Sequence, residues 1–204
     1  KYGIMTNSGS SANLIAFELL KLSKGSEVIT PILTFSTTIA PIVQKGCVPV
    51  FVDVDLGSYL ANLKQAEDSI TRKTKCLMIP SLLGNVPDMA MLRKIATKNS
   101  LVFIEDSCDT IGAKFANKPT GTYSDISTTS FYGSHVITAA GGGGMICVND
   151  IDWSNECRMF RGWGRSSAID ETESIEKRFG VEVEGIQYDS KFIFNEVGYN
   201  FLPL

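Results

Sequence analysis

The feature that most constrains this chain is a series of short apolar runs separated by segments of helical spacing. Residues 27–30 (EVIT), 48–52 (VPVFV), 76–79 (CLMI) and 101–104 (LVFI) are apolar at nearly every position. A sheet with one wet face shows alternating side chains. A run without alternation has both faces covered, as strands inside a parallel sheet do. Residues 126–131 (ISTTSF) and 145–148 (MICV) carry a weaker form of the same pattern. Between the runs, residues 11–22 and 88–98 repeat apolar side chains at helical intervals with polar ones interleaved. Asp88, directly after Pro87, has the side chain and position of an N-cap. Repeated strand–helix alternation predicts an α/β fold, a mostly parallel sheet with helices on both faces. From about residue 166 to 193 the pattern gives way to charged, irregular sequence, which reads as a surface excursion. The 204 residues suffice for one sizeable core, and one domain is expected.

Composition removes several classes of function. The formal net charge is −3 and the pI about 5.3, with no block of Lys or Arg, so neither nucleic acid nor an anionic membrane surface is the expected partner. No apolar run approaches the roughly 20 residues of a membrane span, and no signal-peptide pattern opens the chain. A cytoplasmic location is expected. The five cysteines (47, 76, 108, 147 and 157) are widely spaced and include no CxxC pair, so no zinc or other metal site of ordinary spacing is expected. Cys76 and Cys147 lie in apolar runs and read as reduced, buried thiols. Lys1 leads straight into a patterned segment, and the chain stops just after Gly198-Tyr-Asn. Both ends read as cuts in a longer protein.

In open parallel sheets, ligands bind beyond the carboxyl ends of the strands, and three segments fall at such places. The first is the small-residue loop 6–13 (TNSGSSAN), which opens a helix. Its N–H groups and hydroxyls could cradle a phosphate, although Ser and Gly before a helix usually make only a cap. The second is 103–109 (FIEDSCD), where acids appear as an apolar strand ends. An Asp there could meet a metal, a sugar hydroxyl or a protonated ring nitrogen, and standing alone it would be read as a capping acid. The third is 128–135 (TTSFYGSH), followed by the glycine run 141–144. His135 is the single histidine of the chain. A lone histidine is more often structural than catalytic, and a glycine run is more often a turn than a ligand loop.

Taken in order, these pieces resemble the DegT/DnrJ/EryC1/StrS family of nucleotide-sugar aminotransferases, and the resemblance runs from Asn7 to Asn200. It implies the large, cofactor-binding domain of the type I pyridoxal-phosphate transferase fold, with an N-terminal segment and a small C-terminal domain lying outside these residues. It also implies roles. Gly9 and Ser10 would hold the coenzyme phosphate, and Phe35 of the segment 31–35 (PILTF) would stack on the ring. Asp106 would meet the pyridine nitrogen, Ser130 would reach the phosphate, and Asn200 would reach the phosphate of a neighbouring subunit in a homodimer. The family lysine, five residues after the serine, is replaced by His135. No lysine occurs between Lys118 and Lys177. An imidazole cannot form the lysine's covalent link to the coenzyme, but imidazoles titrate at about pH 6.5 and serve well as bases near neutrality.

The histidine resembles a small branch of the family, the 4-keto-6-deoxysugar 3-dehydrases, where Asp109 and Tyr132 also match residues beside the cofactor. The strings around 105–112 and 121–135 are especially similar to the CDP-sugar enzyme of that branch. The resemblance implies a non-covalently held pyridoxamine phosphate and a CDP- or GDP-linked 4-keto-6-deoxyhexose as substrate. It implies His135 as the base for loss of the C3 hydroxyl, in the biosynthesis of lipopolysaccharide (O-antigen) dideoxysugars. The CDP-sugar relative carries an iron–sulfur cluster on four cysteines. Counted from Cys108, its remaining ligand positions hold Ser166, Ala168 and Glu176. One thiolate cannot hold a two-iron cluster, so none is expected. Without it, the product would be released by hydrolysis after amino-group exchange from glutamate, or reduced through a separate reductase. The rival readings are a nucleotide-sugar aminotransferase and a non-catalytic homologue that kept the fold.

Overall fold

The structure, a computed structural model, describes residues 1–169 and 178–203. In chain order the elements are β1 (Tyr2–Thr6), α1 (Gly9–Glu18), β2 (Glu27–Pro31), α2 (Ser36–Gln44), β3 (Val48–Val52), α3 (Leu63–Asp68), β4 (Thr74–Pro80) and α4 (Met89–Lys98). They continue with β5 (Val102–Asp106), β6 (Lys114–Phe115), β7 (Lys118–Pro119), β8 (Ile126–Ser130), β9 (Gly144–Val148), α5 (Ile151–Arg161), β10 (Val181–Val183) and β11 (Ile186–Tyr188). Seven strands form one sheet in the order β1-β9-β8-β5-β4-β2-β3. The five from β8 to β3 are parallel, and β9 runs antiparallel to both β8 and β1. The mostly parallel α/β sheet expected from the apolar runs is therefore present, and both weaker runs are strands.

Alternation along the strands divides the core in two. Val28, Cys76, Met78, Ile104 and Ile126 face a cluster built with Ile15, Ala16 and Phe17 of α1, Ile42 of α2 and Phe160 of α5. Their neighbours Ile29, Leu77, Ile79 and Phe103 face the opposite cluster, with Ala66 of α3 and Leu92 and Ile95 of α4. Because both faces are covered, the strands carry apolar residues at successive positions. The alternation continues past Ile104 onto Glu105 and Asp106, so these adjacent acids must point to opposite faces of the sheet.

Local chemistry sets the helix ends. Ser8, in extended conformation, caps α1 by accepting from the Ser11 N–H at 3.1 Å. The helix starts two residues before the expected residue 11 and ends at Glu18, before Lys21 turns to a left-handed φ of 46°. Asp88 caps α4 as expected, accepting from Met91 N–H at 2.9 Å. Helices α2, α3 and α5 add to the two read from periodicity; α2 contains Pro41, an interior residue that argues against a helix when only the sequence is seen. The segment read as irregular contains a hairpin. Strands β10 and β11 pair antiparallel with Val183 opposite Ile186, across a two-residue turn in which Glu184 and Gly185 both have positive φ. Its strands are three residues long with half or more of their side chains exposed, so no apolar period marks them. Glu176 of the counted cluster positions lies outside the described residues. Among the described residues, no helix is long and apolar enough to cross a membrane.

Candidate active site

The carboxyl ends of β1, β2, β4, β5 and β8, with the start of β9, meet around a cavity of about 950 Å³. Eight of the nine residues singled out above line it: Gly9, Ser10, Phe35, Asp106, Asp109, Ser130, Tyr132 and His135. Asn200 does not. It is exposed and pairs with Gly162 through an antiparallel bridge.

One end of the cavity is built for an anion. The first-turn N–H groups of α1 have no partners within the helix, and the positive end of its dipole adds to their pull. Ser10 Oγ lies beside them, hydrogen-bonded to Thr37 Oγ1 at 3.0 Å. Position 9 must be glycine, because a Cβ there would come within 2.7 Å of Ser130 Cβ and 3.0 Å of Cys108 Sγ. The end of β8 therefore packs directly against the helix start and brings the Ser130 hydroxyl to it. The glycine run has a similar purpose at its last member. A Cβ on Gly144 would sit 2.2 Å from the Ser8 carbonyl oxygen, so only glycine lets β9 begin against the capping turn.

The other end holds a buried carboxylate. Asp106, at the tip of β5, is 6 % exposed. Its Oδ2 accepts from Asn13 Nδ2 and from Thr38 Oγ1, each at 2.8 Å. Its Oδ1 accepts a longer bond from Cys108 N–H, at 3.2 Å. Asn13 is itself held by Thr128, whose hydroxyl donates to Asn13 Oδ1 at 2.6 Å. Between the two ends stands Phe35, 69 % exposed, a free aromatic face on the cavity wall. Cys108 also lines the cavity, and burial, followed by the Asp106 carboxylate, pushes its thiol far above the usual range.

His135 sits on the loop after β8. Its Nδ1 lies 3.3 Å from the Ser130 carbonyl oxygen, which can only accept, a contact that suits the tautomer with the proton on Nδ1. Nε2 is 3.6 Å from Asp109 Oδ1, too far for a hydrogen bond. The Tyr132 ring meets the imidazole edge-on at 5.8 Å. Asp109 is held from behind, its Oδ2 accepting from Leu83 N–H at 3.0 Å. Leu83 has a left-handed φ of 54°, an uncommon conformation for leucine, and it lines the cavity. Among the described residues lining the cavity there is no lysine, and no cluster of three or more His, Cys, Asp or Glu able to hold a metal occurs.

These features fit a flat, aromatic, phosphate-bearing group with a protonated ring nitrogen. A helix start with two serine hydroxyls suits the phosphate, an exposed phenyl face suits the ring, and a buried carboxylate suits the cation. Asn13, Thr38 and Thr128 are members of the site that motif reading missed. The available signal was a polar side chain on the buried phase of a helix: Asn13 is 1 % exposed, between Ala12 and Ile15.

The family model described as the DegT/DnrJ/EryC1/StrS aminotransferase family matches residues 1–200. The chain belongs to this family. It is 38 % identical to the dTDP-4-dehydro-2,6-dideoxy-D-glucose 3-dehydratase of Saccharopolyspora spinosa, with 96 % of this chain and 45 % of the relative covered. It is 33 % identical to the GDP-4-keto-6-deoxy-D-mannose 3-dehydratase of Escherichia coli O55:H7, covering all of this chain and 53 % of the relative. A solved structure of the E. coli GDP-4-keto-6-deoxy-D-mannose-3-dehydratase with bound hydrated PLP superposes with a TM-score of 0.87 at 32 % identity, over all of this chain and 52 % of that one. The chain thus spans about half the length of the curated relatives it matches. The family includes aminotransferases as well as dehydratases; a GDP-perosamine synthase of E. coli O157:H7 is 37 % identical over 97 % of this chain and 52 % of its own length.

Proposed function

We propose that this chain is the coenzyme-binding domain of a pyridoxamine-phosphate-dependent 3-dehydratase acting on a nucleotide-linked 4-keto-6-deoxyhexose. The observation that carries this reading is a cavity with the donor set for the coenzyme, lined by a histidine and, among its described residues, by no lysine. When bound, pyridoxamine phosphate supplies an amine that condenses with a ketone and a protonated ring that accepts electrons. The α1 N-terminus, Ser10 and Ser130 hold the phosphate, Phe35 covers the ring, and Asp106 keeps the ring nitrogen protonated. His135 Nε2 takes the proton whose removal allows the sugar C3 hydroxyl to leave, while Ser130 O fixes the tautomer and Asp109 offsets the positive charge that develops. Relatives named as dehydratases, and one named as a lipopolysaccharide biosynthesis protein of Salmonella typhimurium at 38 % identity, support placing the reaction in deoxysugar synthesis. Asn200, exposed and outside the lining of this cavity, would serve a second copy of the chain in a homodimer.

The test is to incubate the full-length protein with pyridoxamine phosphate and CDP- or GDP-4-keto-6-deoxyhexose and to weigh the products. Loss of water or oxygen at C3 is expected, and an amino sugar formed with glutamate would establish transamination instead. His135→Asn should retain the coenzyme while slowing C3–O cleavage by about 10²–10⁴-fold, the usual worth of a general base. A His135→Asn protein that dehydrates at the parental rate would remove His135 from this role. Iron and acid-labile sulfide, measured after anaerobic purification, should be absent.

A further inference from the structure

The buried polar chain behind Asp106 has a geometry that simple stability does not require. Asn13, Thr38 and Thr128 come from α1, α2 and β8 and are each 1 % exposed. All three point at one carboxylate, or at the group that holds it. Their bonds are ordered in direction. The Thr128 hydroxyl can satisfy Asn13 Oδ1 only by donating, at 2.6 Å, so the Asn13 amide is locked with its NH₂ toward Asp106. That NH₂ has two hydrogens and two acceptors, Asp106 Oδ2 at 2.8 Å and the Thr37 carbonyl oxygen at 3.4 Å. The Thr37 carbonyl is open to Asn13 because the residue four positions on is Pro41, which has no N–H to return to it. Thr38 Oγ1 in turn accepts from Thr34 Oγ1 at 3.2 Å, which commits its own hydrogen to Asp106.

We infer that Asn13, locked by Thr128 and assisted by Thr38, is a positioning residue that reserves Asp106 Oδ1 for the coenzyme ring nitrogen. Oδ2 is occupied by two short donors, whereas Oδ1 takes a longer bond from Cys108 N–H; the Cys108 thiol adds only a weak S–H bond to the carboxylate, so Oδ1 can still take a stronger donor. The carboxylate cannot rotate without breaking both Oδ2 bonds in a place where water does not replace them. The proline inside α2 is thereby part of the site, since it leaves the Thr37 carbonyl free as the second acceptor of the Asn13 amide. This inference rests on the reading of Asp106 as the partner of the ring nitrogen.

The experiment uses the full-length protein loaded with pyridoxamine phosphate carrying nitrogen-15 in the ring, whose chemical shift reports ring protonation without any turnover. In Thr128→Val and Thr38→Val, the pH at which the bound ring loses its proton should fall by about one unit and the coenzyme affinity about tenfold. Thr128→Ser, which keeps the hydroxyl, should restore both. Asn13→Ala should exceed either threonine variant, and the threonine pair carries the test if that protein does not fold. Asp106→Asn separates the two ideas. If it leaves ring protonation as in the parent, Asp106 does not meet the ring nitrogen and the inference falls with that reading. If it lowers ring protonation while Thr128→Val and Thr38→Val both match the parent, the positioning role alone is overturned.

Discussion

Glu105 and Asp106 are adjacent acids on one strand, both almost wholly buried, yet their surroundings differ in kind. Glu105 faces the α4 side and is closed off. Its Oε1 accepts from Ser107 Oγ at 2.5 Å, and its Oε2 accepts from Gly121 N–H at 2.7 Å and Ser124 Oγ at 3.3 Å. These donors tie the 120s loop to the sheet, and Glu105 does not line the cavity. Asp106 faces the α1 side, where one oxygen takes two short donors from α1 and α2 and the residue lines the cavity. Burial therefore does not separate an acid closed off by protein from one that lines the cavity. What separates them is whether the hydrogen bonding leaves an oxygen for something that is not protein.

Substitution should split the pair. The largest effect is expected for Asp106→Ala, which removes the proposed partner of a cationic ring nitrogen; coenzyme affinity should fall about 100-fold, the upper end for a charge-assisted bond, together with a loss of stability from the stranded Asn13 and Thr38 donors. Glu105→Ala should affect stability alone. It strands Gly121 N–H and two hydroxyls and should cost about 3 kcal/mol of stability, read from chemical denaturation, while the folded protein titrates with coenzyme as the parent does. A Glu105→Ala protein that is fully stable but cannot bind coenzyme would erase the distinction.

A smaller effect tests the opposite end of the cavity. Gly9→Ala puts a Cβ within 2.7 Å of Ser130 Cβ, so α1 and the end of β8 must move apart. Phosphate donors lose force quickly with misplacement, and about a tenfold loss of pyridoxamine phosphate affinity is expected. Free pyridoxamine, which lacks the phosphate, should bind the two proteins alike. Equal loss for both ligands would mean that the substitution disturbs the Asp106 end as well.

Sequence alone carried the sheet further than it carried the site. The runs at 76–79 and 101–104 were legible because strands covered on both faces keep apolar residues at consecutive positions, a pattern few other structures produce. Helix α2 was hidden by Pro41, and the β10–β11 hairpin by its exposure and brevity. Glu105 and Asp106 were visible as an acidic pair, but their opposite fates depend on strand phase and on what each face meets. Asn13, Thr38 and Thr128 are separated by 25 and 90 positions, and no motif links them; only the crossing of α1 and α2 over the end of β8 brings them to one carboxylate. His135 was legible as a departure from a family pattern, whereas its tautomer depends on the backbone carbonyl of Ser130, which no side-chain pattern reports.

The smallest expected effect is also the most specific to Glu105. Burial raises this carboxyl above the ordinary glutamate value of about 4.5, outweighing the opposing hydrogen bonds from Ser107, Gly121 and Ser124. As pH rises past that ordinary value, the unfolded chain releases the proton while the folded protein still holds it. The folded state then binds more protons, so stability is lost with rising pH until the folded-state value is passed. Glu105→Gln cannot titrate. Its amide oxygen can still accept from Gly121 N–H, and its NH₂ can donate to Ser107 Oγ, so the fold should tolerate it. The melting-temperature difference between Glu105→Gln and the parent should therefore move in favour of the variant as pH rises above the ordinary glutamate value of about 4.5. A difference that stays flat over that range would show that Glu105 is ionised as readily in the folded protein as in the unfolded chain. The closed pocket would then be solvating a charge, and the contrast between the two acids would reduce to which of them borders the cavity.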